Sequence, residues 1–341
     1  RRAMEGLARL LRVVAEVPPW EFVTGAIPVW AALGAGLGLA LVVGSRLQRR
    51  PLVVGGALAA GFVVLGGWLG PFETGDGLEI HAIPVGQGDA TLVRLPDDRT
   101  LLVDGGGRRM GSDPGRRIVV PYLHRLGIAR LDWVVATHAD FDHVGGLVAV
   151  ARRMRPRRFV YDAGDPTPRL REVVGAMARR GSRMIPVDGG VRRRVGAARL
   201  RVLPPPRGAT HSDNDASLVT ALRFAGRRLL LPGDIERAGE RRLVEGGLAE
   251  ADILKVPHHG SKTSSSAAFL GAADPAIAFV SAGRFNAFGH PAPRVRRRYG
   301  RRQIPLWWTA RAGLIVVSVA RDGRMTVRAM RRSQSAVRSE E

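Results

Sequence analysis

Residues 137–146 read THADFDHVGG, which places two histidines and two aspartates within six positions ahead of a Gly-Gly pair. Polar groups crowded in this way cost about 2–7 kcal/mol each to desolvate without partners. Cations seated among them remove that cost. The chain contains no cysteine, so disulfides and thiolate sites are excluded and any metal must be held by His, Asp, Glu or Asn. In an extended loop positions 138 and 140 face the same way, whereas 142 and 143 fall where the chain turns. One loop thus offers His138 and Asp140 to one metal and Asp142 with His143 to a second. An ordinary acidic turn capping a helix accounts for Asp140 or Asp142, but for neither histidine.

Two metals need more ligands than one loop supplies, and later strand ends offer them. LLLPGD places Asp234 just past an apolar run, and DILKVPHHGS places His258 and His259 at the end of the next. Short apolar runs ending in Gly, Asp or Pro recur after Asp76, among them LEIHAIPV, TLLVDGG, LDWVVATH, RFVYDAG, ARLRVL, SLVTALRFAG, AIAFVSAG and GLIVVSVARDG. They read as strands. Helical patterns lie between several of them: VVPYLHRLG, GGLVAVARRM, LREVVGAMARRG, IERAGERRLVEGG and SAAFLGA. Strands alternating with helices predict a layered α/β domain over residues 76–330. The polar tail 331–341 reads as disordered.

Upstream the texture is different. Residues 22–44 and 51–70 carry no charge, and each is about the 20 residues a helix needs to cross a bilayer. They predict a two-helix transmembrane hairpin over 22–75. Leu7, Leu10, Leu11 and Val14 form an apolar stripe with arginines opposite, which predicts an amphipathic membrane-surface helix over 1–21. Arg46, Arg49 and Arg50 between the spans place that connection in the cytoplasm and the larger domain outside. The chain begins at Arg1, as expected of a piece of something longer or a processed product.

THADFDH resembles the His-x-His-x-Asp-His signature of the metallo-β-lactamase fold, with Asp140 in the second histidine's place. TLLVDGG resembles the strand that precedes it, ending in the structural Asp104. The order VGQGDATLV, LLVDGG, THADFDHVGG, NDASLV, LLLPGDIE, KVPHHGS, FGHP resembles the C-terminal domain of the ComEC family of DNA-uptake channel proteins, from Leu78 to Gly323. The two predicted spans sit where that family has its last membrane helices. The resemblance implies a metallo-β-lactamase-like αββα sandwich preceded by two transmembrane helices.

It further implies His138 and Asp140 on one metal, Asp142 and His143 on the other, and Asp234 bridging, with His258 or His259 completing the second site. Asp215 or Asn214 falls where the superfamily has another ligand, and Ser217 in the same motif shapes the site. Asp89 is implied to fix a loop. His290 would lie near the metals, contacting substrate or protonating a leaving group beside the catalytic Asp142 and Asp234. Pro84 replaces an Asp usual before VGQGD, and Ala216 replaces a common Asn; both departures touch the rim rather than a ligand.

Two divalent ions about 3.5–4 Å apart share a water, lower its pKa and hold both oxygens of a phosphodiester displacement. An aspartate in place of a histidine hardens the ligand set and favours Mn²⁺, with Zn²⁺ as the alternative. The formal charge of +23 is almost wholly arginine, since Lys255 and Lys262 are the only lysines. A GC-rich genome explains the choice of arginine, but the surplus of positive charge attracts phosphates or anionic lipid. Arg152, Arg153 and Arg155, the run 192–194, and Arg297 with Arg298 are candidate contacts to single-stranded DNA without sequence preference. Trp307 and Trp308 could stack bases or belong to a strand. The expected function is an extracytoplasmic, metal-dependent nuclease that degrades one strand during DNA import. Its expected partners are DNA, the membrane, and other uptake proteins or an upstream channel domain. The alternatives are a membrane-tethered hydrolase of a small ester, lactone or phosphodiester, and a non-catalytic DNA-binding or gating module.

Overall fold

The computed structural model describes residues 77–107, 113–165, 167–205, 214–284 and 286–330. The expected surface helix, both spans and the polar tail lie outside these residues. Among the described residues no helix is long and apolar enough to cross a membrane.

Among the described residues, fifteen strands form two sheets. The first runs β15(Met325–Met330)-β14(Leu314–Val319)-β1(Leu78–Ala82)-β2(Thr91–Arg94)-β3(Thr100–Val103)-β4(Trp133–Val135)-β5(Arg158–Asp162)-β6(Arg183–Val187). The second runs β13(Leu306–Trp308)-β12(Ile277–Val280)-β11(Ile253–Lys255)-β10(Arg227–Leu231)-β9(Val219–Phe224)-β8(Ala198–Leu203)-β7(Val191–Val195). Each sheet is antiparallel on one side and parallel on the other, the parallel parts being β3 to β6 and β10 to β13.

Parallel strands need crossovers, and the crossovers supply the outer layers. Helices α1(Val120–Arg125), α3(Leu147–Met154) and α4(Pro168–Arg179) cover the first sheet; α2(Phe141–Val144) is a single turn ahead of α3. Helices α5(Arg237–Glu245), α6(Ala267–Ala273) and α7(Pro293–Arg301) cover the second, and the short α8(Thr309–Ala312) precedes β14. Three buried clusters follow. One lies between the sheets around Val93, Leu101, Leu222 and Phe279; one lies under α1, α3 and α4; one lies under α5, α6 and α7. This is the expected αββα sandwich.

Local sequence explains most elements. In α4, Pro168 opens the helix, Thr167 accepts from Leu170 N, and Leu170, Val173, Ala176 and Met177 are buried. Some elements escape the sequence reading because charge hides them. β7 reads VRRRV, yet Val191 and Val195 reach the core between the sheets while the arginines stay outside. Helix α7 reads PRVRRRYGR, and its helical signal is only Val295 and Tyr299, an i,i+4 pair that is fully buried. Trp307 and Trp308 fall in edge strand β13, half-buried against the cores, with Arg311 4.5 Å above Trp308.

Candidate metal centre

The carboxyl ends of parallel strands from both sheets meet at one place. Asp104 follows β3, residues 136–143 follow β4, Asp234 follows β10, and His259 follows β11. Such ends are where open α/β sheets bind ligands. The backbone there is unusual: Asp104, His258 and His259 adopt φ of 62°, 48° and 50°. Residues other than glycine hold that conformation at a cost of about 1–3 kcal/mol each, and such strain gathers at functional sites.

Asp142 and His143 lie in the turn of α2, so this part of the loop is helical rather than extended. His143 is fully buried, and its Nδ1 lies 2.8 Å from Asp104 Oδ2. His138 Nδ1 lies 3.0 Å from Thr137 Oγ1, and His259 Nδ1 lies 2.9 Å from the Ser281 carbonyl. Each imidazole is thereby anchored by Nδ1, which leaves Nε2 free. None of the three Nε2 atoms makes a hydrogen bond although all are buried. Buried polar atoms are normally satisfied; three orphaned imidazole nitrogens beside carboxylates suit a divalent cation. The all-nitrogen-and-oxygen donor set admits Mn²⁺ and Zn²⁺ alike.

The inner cluster is close-knit. His143 Nε2 and His259 Nε2 each lie 3.2 Å from Asp234 Oδ2, and His259 Nε2 also lies 3.2 Å from Asp142 Oδ2. Asp89, His143, Asp234 and His259 offer ligand atoms all within 4.8 Å of one another. His138 and Asp140 stand beside this group as a pair, Nε2 to Oδ2 3.7 Å apart, with Asp140 exposed to solvent. Burial disfavours the charged form of His143, but Asp234 and Asp104 outweigh it and raise its pKa well above the imidazole range. The same opposition pushes His259 up to about 10, through Asp234 and Asp89. Contact with His138 holds Asp140 below the usual carboxylate range.

The paired histidines separate. His259 is buried in the cluster, whereas His258 Nδ1 turns to Glu236 Oε1 at 3.0 Å. Glu236 also accepts from Thr263 Oγ1 at 2.8 Å and Asn214 Nδ2 at 3.3 Å. Asp215, an expected ligand, is not in the inner cluster of Asp89, His143, Asp234 and His259. Its Oδ1 accepts from Glu236 N at 2.7 Å and Gly239 N at 2.8 Å, satisfying the N-terminus of α5. Ser217 Oγ accepts from Asp234 N at 3.0 Å and donates to the Asn214 carbonyl at 2.7 Å, which ties the NDAS turn to the Asp234 backbone.

Asp89 has a larger part than loop fixing. Its backbone N–H donates to the Asp142 carbonyl at 3.0 Å, an approach that a side chain on Gly88 would block, since a Cβ there lies 2.3 Å from that oxygen. Its carboxylate enters the inner cluster and pairs with Lys255. No motif in the sequence marks Lys255 or Glu236 as part of the site. A lone lysine in the apolar run DILKVP was the available signal.

His290 lies on the rim, 6.0 Å ring to ring from His258 and 5.5 Å from Phe288, with Nδ1 unpaired. Burial and the charges of His259 and His258 push its pKa down to about 4. It is therefore neutral near pH 7, which suits substrate contact better than proton donation. Arg152, Arg153, Arg155 and Arg297 are exposed. Arg298 is not free for a ligand: it donates to the Ser264 and Ser265 carbonyls.

The model of the metallo-β-lactamase superfamily matches residues 83–284, the span that carries this cluster. The chain belongs to the metallo-β-lactamase superfamily. Among curated relatives of this superfamily domain, ComE operon protein 3 of Bacillus subtilis is 30% identical over 291 residues, covering 81% of this chain and 37% of that protein. Competence protein ComA of Neisseria gonorrhoeae is 33% identical over 318 residues, covering 92% of this chain and 42% of that protein. The chain thus spans less than half the length of these relatives. The second is a competence protein by name, in keeping with the resemblance carried by the motif order. Among solved structures, the metallo-β-lactamase fold protein YhfI of Bacillus subtilis superposes with a TM-score of 0.48 at 11% identity, covering 74% of this chain and 100% of that one. Superfamily membership and the His/Asp cluster mark a metal-dependent hydrolase domain.

Proposed function

We propose that this domain is a two-metal phosphodiesterase that cuts DNA on the extracytoplasmic face of an uptake channel, degrading one strand while the other enters. The observation that carries the reading is the convergence of His143 Nε2, His259 Nε2, Asp142 and Asp234 at 3.2 Å spacings. His143, His259, Asp142 and Asp234 hold one cation, and His138 with Asp140 begin the second seat. Asp234 would be the carboxylate shared with the second cation. The two seats and their supports gather five carboxylates (Asp89, Asp104, Asp140, Asp142 and Asp234) and one ammonium, Lys255. Five negative charges less one leave four, which two divalent ions balance. When bound, such ions supply Lewis acidity and a water of lowered pKa. His290, neutral and at the rim, orients the substrate.

The competence name of the Neisseria gonorrhoeae relative supports a DNA substrate, and the basic surface fits a polyanion. On the outer face of the second sheet, Arg192 lies opposite Arg201, and Arg194 opposite Arg199, which in turn faces Arg223. Like charges directly opposite one another are destabilising in a sheet. A phosphate backbone lying across these strands relieves that repulsion.

The test is incubation of the purified chain with single-stranded DNA and Mn²⁺, repeated with Asp142→Ala and Asp234→Ala. Metal-dependent cleavage lost in both variants is expected. Turnover of small esters alone, or DNA binding without turnover, refutes the reading.

A further inference from the structure

Lys255 is one of two lysines in a chain with 53 basic residues, and it is 3% exposed at the end of β11. Its Nζ donates to the Gly233 carbonyl at 3.0 Å, lies 3.3 Å from Asp234 Oδ1, and is in direct contact with Asp89. A compact ammonium suits this three-way seat, whereas the planar fork of an arginine does not.

Asp234 is therefore divided between two neighbours. Its Oδ1 is held by the ammonium, and its Oδ2 faces His143 Nε2 and His259 Nε2. The backbone around it is fixed as well: Gly233 has φ +63°, where a Cβ would meet Ser217 at 2.7 Å. The Lys255 side of the cluster is buried. The void there is about 10 Å³, lined by Asp89, Asp104, Thr137, Gly233 and Lys255, and it holds one water at most. Asp142, next to His259 Nε2, is the solvent-facing member of the cluster, its side chain 34% exposed against 4% for Asp234.

We propose that Lys255 is a positioning residue of the metal site: with Asp89 as its anchor, it takes up Asp234 Oδ1 so that only Oδ2 is presented to a cation, on the side facing His143 and His259. This rests on the metal-site reading given above. It makes a prediction opposite in sign to plain electrostatics. An ammonium beside the site repels a divalent ion, so removing it should tighten binding if charge were its only effect. If it holds Asp234 in place, removing it loosens binding.

Calorimetric titration of the full chain with Mn²⁺, alongside Tm with and without the ion, separates the two. Lys255→Met is expected to weaken Mn²⁺ binding 10- to 100-fold, the range found when partners that orient ligands are removed. Lys255→Gln, which keeps a donor for Oδ1, is expected to recover part of the loss and carries the same sign test if the Met variant does not fold. Asp89→Asn, with Lys255 intact, should weaken binding less than Lys255→Met. Unchanged or tighter binding in either Lys255 variant overturns the proposal, even where Tm falls. A larger loss in Asp89→Asn than in Lys255→Met also overturns it, because Asp89 is then a ligand itself. If the unsubstituted chain takes up neither Mn²⁺ nor Zn²⁺, the metal-site reading falls and this inference falls with it. Normal uptake with indifferent Lys255 variants sinks the inference alone.

Discussion

Asp104 Oδ2 lies 2.8 Å from His143 Nδ1, and both side chains are almost wholly buried. The same carboxylate accepts from Thr137 N and Thr137 Oγ1, each at 2.8 Å. One aspartate thus fixes the ring that faces Asp234 and the strand end that carries His138. Asp104→Asn is expected to lower metal affinity 10- to 100-fold. Asp104→Ala should in addition destabilise the fold by about 1–3 kcal/mol, since it strands the Thr137 amide. Metal titration and denaturant unfolding check the two effects separately.

His259→Ala should remove a ligand and abolish stoichiometric metal uptake. His258→Ala breaks the Glu236 contact but leaves the inner cluster intact, so metal content should hold while KM for DNA changes. Metal analysis after dialysis decides. Equal loss in both variants contradicts the separation of the paired histidines.

The pH dependence follows from the raised pKa values of His143 and His259. Both are imidazolium near pH 7 in the metal-free protein, and a cation must displace their protons. Metal affinity is therefore expected to rise by about tenfold per pH unit for each proton released, between about pH 6 and 9. Stability of the metal-free protein has the opposite slope. A raised pKa stabilises the fold fully below the unfolded imidazole value of about 6.5, and for His259 that contribution is lost as pH rises toward about 10. Tm measured against pH with chelator present should fall across that window, and Tm with metal should not.

Asp215→Ala should cost about 1 kcal/mol of stability by removing the acceptor at the N-terminus of α5. Metal affinity should stay within a factor of about three, well short of the loss expected for a ligand. Calorimetry on this single variant distinguishes a helix-capping aspartate from a ligand.

The arginine rows on β7, β8 and β9 predict effects of opposite sign on stability and on binding. Arg199→Thr relieves repulsion against Arg194 and Arg223 and should stabilise the fold by about 0.2–1 kcal/mol. It should also weaken single-stranded DNA binding and lower the slope of log K against log salt by about 1. Thermal melts and fluorescence anisotropy over a range of KCl concentrations measure both.

The layered α/β architecture and most of the ligand-bearing loops are legible in the chain alone. Hydrophobic period and turn residues are local signals, and THADFDH, PGD and PHHG mark strand ends through residue type alone. The sequence also exposes the clash between that polar crowding and burial which calls for a cation. The remainder depends on contacts between distant segments. Whether His258 or His259 faces the cluster depends on two left-handed backbone turns and on the Ser281 carbonyl, 22 residues away. Asp215 caps a helix because α5 begins beside it in space. Asp89 and Lys255 meet only when the loop after β1 packs over the end of β11. Side-chain direction and long-range charge pairing come from the packing of two sheets against each other, and no stretch of a few residues encodes that packing.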